Sequence, residues 1–152
     1  MMETSSTRNR LKMMWARSRP WKVSHPDAAV LVLCGKARLN PNTAALLKTV
    51  LPPDFQSFVF AGLDGVNCHA DFRDPKWRAR CFGGDRTFAG VVIEYCDYVI
   101  HSDVLRAVKS LVRPAGFLLF MGHRGTPPAI PGFRLAPRSG GPHGTAAMYV
   151  RQ

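Results

Sequence analysis

Glu94, Tyr95, Asp97, Tyr98 and His101 place two carboxylates, two phenols and an imidazole within one short stretch. A carboxylate there can orient an amine, and His101 can act as a general base. The plainer alternative makes Asp97 the start of a loop and His101 the lead into the next helix. A second group is Lys36 and Arg38 in the loop GKARLN, just before Pro41, which suits a helix start. Cations at a helix amino end would suit an anionic nucleotide. His123, Arg124 and His143 could contact phosphate, or be solvated loop residues. The cysteines Cys34, Cys68, Cys81 and Cys96 show no Cys-x-x-Cys spacing. The expectation is therefore no metal site, and reduced thiols rather than a disulfide framework.

These residues need elements to position them. The segment FAGVVIEYCDYVIHSDVLRAVKSLVRPAGFLLF, 88–120, reads as strand, helix and strand. Val91, Val92 and Ile93 are a β-branched apolar run suited to burial on both faces. Ser102 is placed to cap the helix, and Asp103 lies near the positive end of its dipole. Val104, Leu105, Val108, Leu111 and Val112 recur at helical spacing. Pro114 and Gly116 are expected to end the helix, with 117–121 as the next strand. Two parallel strands joined by a crossover helix are the unit of open α/β sheets, whose ligands bind at the carboxyl ends of the strands.

Upstream, 28–33 and 55–61 read as buried strands around a helix from Pro41. The stretch GLDGVNCHADFRDP is turn-rich, and 76–80 is a short helix. Downstream, 132–136 and 146–151 read as an antiparallel hairpin at the sheet edge around SGGPHGT. The expected fold is α/β: a Rossmann-like, mainly parallel sheet with flanking helices and a C-terminal antiparallel hairpin. Two regions are expected, a basic N-terminal extension (1–27) and one α/β domain (28–152).

Charge is the strongest compositional signal, with 21 Lys and Arg against 10 Asp and Glu, net +11. Eight of the ten acids lie between Asp54 and Asp103, so both ends are basic and the middle is nearly balanced. Such a surface attracts polyanions, nucleic acid among them. In the extension Arg8, Arg10, Lys12, Arg17, Arg19 and Lys22 interleave with Trp15 and Trp21, a composition that could hold phosphates and stack on bases. The two tryptophans could equally dock on the domain. With 46% hydrophobic residues the chain can form a core. No apolar run reaches the roughly 18 residues of a membrane span, and no secretory signal is read, so an intracellular, cytoplasmic or nuclear protein is expected.

The order of elements over 28–152 resembles the class I methyltransferases that use S-adenosylmethionine. Three stretches carry the resemblance: FAGVVIEYCDYVI with its following helix and Pro114-Ala115-Gly116 turn, the strand FLLFMGH, and the ending PGFRLAPRSGGPHGTAAMYVRQ. The resemblance implies that Gly35 flanks the methionine part of the cofactor and that Asp64, ending FAGLD, binds the ribose hydroxyls. It implies that Asp71 or Asp74 in ADFRDP meets the adenine amino group, and that Glu94, Asp97 and His101 lie where catalytic or substrate-binding residues belong. Asp64 also suits a turn before Gly65. Only six residues separate Asp64 from Asp71, too few for a crossover helix.

The first strand and its loop, VLVLCGKAR, depart from the family's acid and glycine-rich pattern. Val32 stands at the acid's place, and Cys34, Lys36 and Arg38 at the glycines'. Side chains at Lys36 and Arg38 would crowd a close backbone approach to the cofactor. Two functions follow as expectations. One is methyl transfer from S-adenosylmethionine to nucleic acid or a nucleic-acid-associated substrate. The other is a catalytically inactive binding or structural module that contacts a polyanion through its basic termini, with a protein partner also conceivable; Lys36 and Arg38, grouped with the nucleic-acid-binding residues, could instead take an anionic nucleotide.

Overall fold

A computed structural model describes residues 29–33, 40–50, 57–63, 67–123, 125–136 and 146–152. The fold is mixed α/β, built on a seven-stranded sheet of order β3-β2-β1-β4-β5-β7-β6. The strands are β1 Val30–Leu33, β2 Phe58–Gly62, β3 Cys68–His69, β4 Phe88–Glu94, β5 Val112–Met121, β6 Phe133–Leu135 and β7 Ala146–Arg151. The helices are α1 Asn40–Val50, α2 Trp77–Phe82 and α3 Val104–Ser110, with a 3-10 helix at Asp97–His101.

β3, β2, β1, β4 and β5 run in one direction. Leu31 pairs with Val59, Val32 with Val92, and Val92 with Leu119, so the four expected strands are neighbours and co-directional. The sheet is nevertheless mixed rather than mainly parallel. β7 inserts between β5 and β6 and is antiparallel to both. The closing hairpin is present, but it joins the sheet through its second strand, which creates a second antiparallel pairing.

Every residue of β1 and β4 is buried, as their unbroken apolar runs require when both sheet faces are covered. On one face Val30, Val32, Val92, Leu119 and Met148 pack with Leu46 and Leu47 of α1. In α1 the described buried positions Thr43, Ala44, Leu46 and Leu47 recur at helical spacing, with Ala45 and Lys48 exposed. On the other face Leu31, Leu33, Val91, Ile93, Leu118 and Tyr149 pack with Trp77, Val99, Ile100 and Val108 from the helices. The Tyr149 hydroxyl donates to the Pro128 carbonyl at 2.7 Å, fixing the loop after β5 to this layer.

Three local expectations are corrected. The helix after β4 ends at Ser110, and Pro114, Ala115 and Gly116 lie inside β5. Phe88 pairs with Val112 but Gly90 with Phe117, so these residues bulge out of the ladder, with Ala115 at φ +64°. A Cβ on Gly116 would sit 2.7 Å from the Ala89 carbonyl oxygen, so only glycine fits where the bulge closes on β4. The turn-rich stretch after β2 contains a short strand: β3 pairs parallel with β2 through a loop instead of a crossover helix. Asn67 makes this feasible, since its side-chain oxygen accepts the Phe60 N–H at 2.8 Å while its own N–H donates to the Phe60 carbonyl at 2.9 Å. Finally, Cys68 and Cys81 form a disulfide joining β3 to α2. Sequence spacing could not show this, because the two sulfurs meet only after α2 folds back on the edge strand.

Candidate functional site

The parallel strands end together at Leu33, Gly62, His69, Glu94 and Met121, which defines a carboxyl edge. Chain connections leave β1 toward β2 on one side and enter β4 and β5 on the other, so the order reverses between β1 and β4. In open α/β sheets such a reversal opens a crevice at the carboxyl edge.

Glu94 lies beside that reversal and is 1% exposed. It shares a sheet face with Val92, the face covered by α1. Thr43, fully buried in the first turn of α1, donates its hydroxyl to Glu94 Oε2. The carboxyl group thus sits at the amino end of α1, where the helix dipole favours negative charge. Thr43 was not a sequence candidate. Its signal was a polar residue in line with Leu46 and Leu47, hence buried and in need of a partner.

The backbone beside Glu94 is unusual. Tyr95 adopts φ +52°, and its N–H donates to the Met121 carbonyl at 3.0 Å. A non-glycine residue there carries strain of roughly 1 kcal/mol or more, and such positions cluster at functional sites. The Tyr95 ring lies on Gly122, which is at φ +81°; a Cβ there would come within 2.6 Å of Tyr95 Cδ1. The residue after Gly122 is His123. It is 2% exposed, against the expectation of a solvated loop residue. Among the described residues neither of its ring nitrogens has a hydrogen-bond partner.

His101 is exposed at the end of the 3-10 helix. Asp97 begins that helix, and its side chain lies outside the described residues, as do Gly35, Lys36, Arg38, Asp64, Arg124, His143 and the basic residues Arg8, Arg10, Lys12, Arg17, Arg19 and Lys22. The N-cap of α3 is Asp103, one residue later than expected, and it makes no side-chain cap bond; the Ser102 hydroxyl accepts the Val104 N–H at 3.3 Å. Asp71 follows β3 at the carboxyl edge, three strand spacings or about 14 Å from β4. Its carboxylate pairs with Arg73 at 2.7 Å, and the Arg73 hydrogen bonds hold its pKa down at about 2. The structure therefore brings Glu94 to Thr43 and leaves Asp71 paired elsewhere.

Compared with known proteins, the chain matches no family model and no curated protein sequence. No helix among the described residues is long and apolar enough to cross a membrane.

Proposed function

We propose that this chain is a Rossmann-like, methyltransferase-like domain that binds S-adenosylmethionine at the carboxyl edge of its sheet and modifies nucleic acid or a nucleic-acid-associated substrate. The observation that carries the reading is the strand order. Five co-directional strands in the order 3-2-1-4-5 reverse between β1 and β4, and a reversal of that kind supports a doubly wound, nucleoside-binding reading. The antiparallel β7 and β6 supply the closing hairpin that the methyltransferase resemblance implies. The strained Tyr95 at the same edge adds support.

In this reading one acid meets the cofactor's positive charge, although Lys36 and Arg38 stand where the family has glycines. S-adenosylmethionine carries a sulfonium and an ammonium, and Glu94 supplies an acid beside the reversal. Asp64 would hold the ribose hydroxyls and Gly35 would flank the methionine part. Asp71 would exchange its pair with Arg73 for the adenine amino group. When bound, the cofactor supplies an electrophilic methyl group. The chain's own part is to orient the acceptor and exclude water, with Glu94, Asp97 and His101 nearest the acceptor in this reading. The basic residues of the termini and of the loop after β1 would hold phosphates.

One observation favours a second reading. Glu94 is buried and already bonded to Thr43, as expected of a structural acid in a catalytically inactive binding module. Calorimetric titration with S-adenosylmethionine and S-adenosylhomocysteine separates the two. The first reading expects saturable binding and a raised melting temperature. No heat and no shift at millimolar ligand overturns it. Both readings expect nucleic-acid affinity to fall steeply as salt rises.

A further inference from the structure

We propose that the Cys68–Cys81 disulfide is a redox switch. Oxidised, it fixes β3, and with it Asp71, at the carboxyl edge; reduced, it lets them loosen. The effect on a ligand rests on the methyltransferase-like reading, which the inference deepens by naming how that site is regulated.

The bond joins two elements that are held very differently. α2 is anchored without it. Trp77 is 4% exposed, and its ring meets that of Phe72 with centroids 4.8 Å apart. The Phe82 ring stands edge-on to Phe88 of β4 at 5.4 Å. The Arg78 guanidinium donates to the Ser110 hydroxyl at 2.7 Å and to the Gly83 and Arg86 carbonyls at 2.7 and 3.0 Å, which ties α2 to the end of α3.

β3 has no such hold. It is 2 residues long, lies at the sheet edge and pairs with β2 through Ala61 with Cys68 and Gly62 with His69. The Asn67 N–H donates to the Phe60 carbonyl at 2.9 Å and the Ala70 N–H to the Gly62 carbonyl at 3.0 Å, flanking that ladder. Of residues 67–70 Ala70 alone is buried, so little apolar surface secures the strand. Segments with few buried contacts open locally at low free-energy cost. The covalent link to a rigid helix is therefore the strongest restraint on β3.

A switch fits this bond better than a staple placed for stability. A disulfide constrains the unfolded chain most when it closes a long loop, and this one spans a sequence separation of 13. The same short spacing keeps the two thiols near each other after reduction, so the bond can form again. Cys68 and Cys81 are half-buried, within reach of a small thiol. The restrained segment leads directly into Asp71, the acid that the proposed function sets against the adenine amino group. The step is thiol–disulfide exchange. A thiolate of a dithiol reductant attacks one sulfur, the Cys68–Cys81 bond breaks, and the reductant's second thiol resolves the mixed disulfide. The protein takes up two electrons and two protons and holds a pair of thiols, while the dithiol is oxidised to its own disulfide.

The test compares the full chain oxidised and reduced by dithiothreitol without denaturant, read by amide hydrogen exchange. Reduction should speed exchange at Asn67 and Ala70 by about tenfold or more, while the Arg80 and Gly83 amides, bonded to Lys76 and Ala79, change far less. Cys81→Ser should exchange like the reduced protein and not respond to dithiothreitol. A bond left intact by dithiothreitol in the folded protein, unchanged exchange at Asn67 and Ala70, or equal acceleration across α2 and β4 overturns the switch. A Cys81→Ser protein that still responds to reductant overturns it too. Should Cys81→Ser fail to fold, the wild-type comparison decides alone. Calorimetry with S-adenosylhomocysteine on both forms tests control of the site, with weaker binding expected after reduction. Equal affinity in the two forms overturns that control. Binding in neither form sinks the methyltransferase-like reading, and the exchange rates still decide the switch.

Discussion

Replacing Thr43 by valine removes one hydroxyl and keeps the shape of the side chain. Thr43 is fully buried and Glu94 is 1% exposed, so water cannot replace the lost donor. A buried acceptor stripped of its donor costs roughly 1–3 kcal/mol, more when the group is charged. For Thr43→Val we expect about 2 kcal/mol, which lowers the folding equilibrium constant about thirtyfold. In a domain of this size each kcal/mol moves the melting temperature by about 2–4 °C, so the fall should be about 4–8 °C. The double variant Thr43→Val/Glu94→Leu removes both partners and should be less destabilised than the sum of the single variants, with a coupling of about 1–3 kcal/mol. Urea unfolding of the four proteins supplies the cycle. Additive effects, or a Thr43→Val protein as stable as wild type, would refute the claim that this bond secures Glu94 at the amino end of α1.

Reduction of the Cys68–Cys81 disulfide, or Cys81→Ala, should cost about 3 kcal/mol, because the bond closes a loop with a sequence separation of 13; thiol counting under denaturing conditions should find fewer thiols before reduction than after it, and equal counts would contradict the bond. Gly116→Ala should destabilise by about 2 kcal/mol or more by driving a Cβ into the Ala89 carbonyl, read by chemical denaturation. Burial pushes the Tyr149 phenol up to about 12. Its neutral form is favoured in the folded protein, so the stability it contributes is full below pH 10 and is lost between about pH 10 and 12; Tyr149→Phe should flatten that alkaline loss in a stability–pH profile.

The central strands were legible because burial on both faces leaves an unmistakable mark, as in Val30–Leu33 and in Val91, Val92 and Ile93. The helix after β4 was legible from its apolar spacing, but its end was not. Pro114 and Gly116 look like a helix stop, yet they form a bulge because Leu111 gives its carbonyl to Phe88 and the chain has already entered the sheet. The pairing of β3 depends on one side chain, Asn67, holding the Phe60 backbone, and short-range pattern carries no such information. The Cys68–Cys81 bond is a long-range consequence of the same loop. At the site, the place of Glu94 followed from the strand it ends. Its partner Thr43 and the burial of His123 come from packing of α1 and of the chain after β5, which no motif marks.

Amide chemical-shift mapping with S-adenosylhomocysteine tests the ligand-binding edge most directly. The account predicts saturable changes at Leu33, Gly62 and Glu94 and in the first turn of α1. Changes confined to β6 and β7, or none at millimolar ligand, would contradict it.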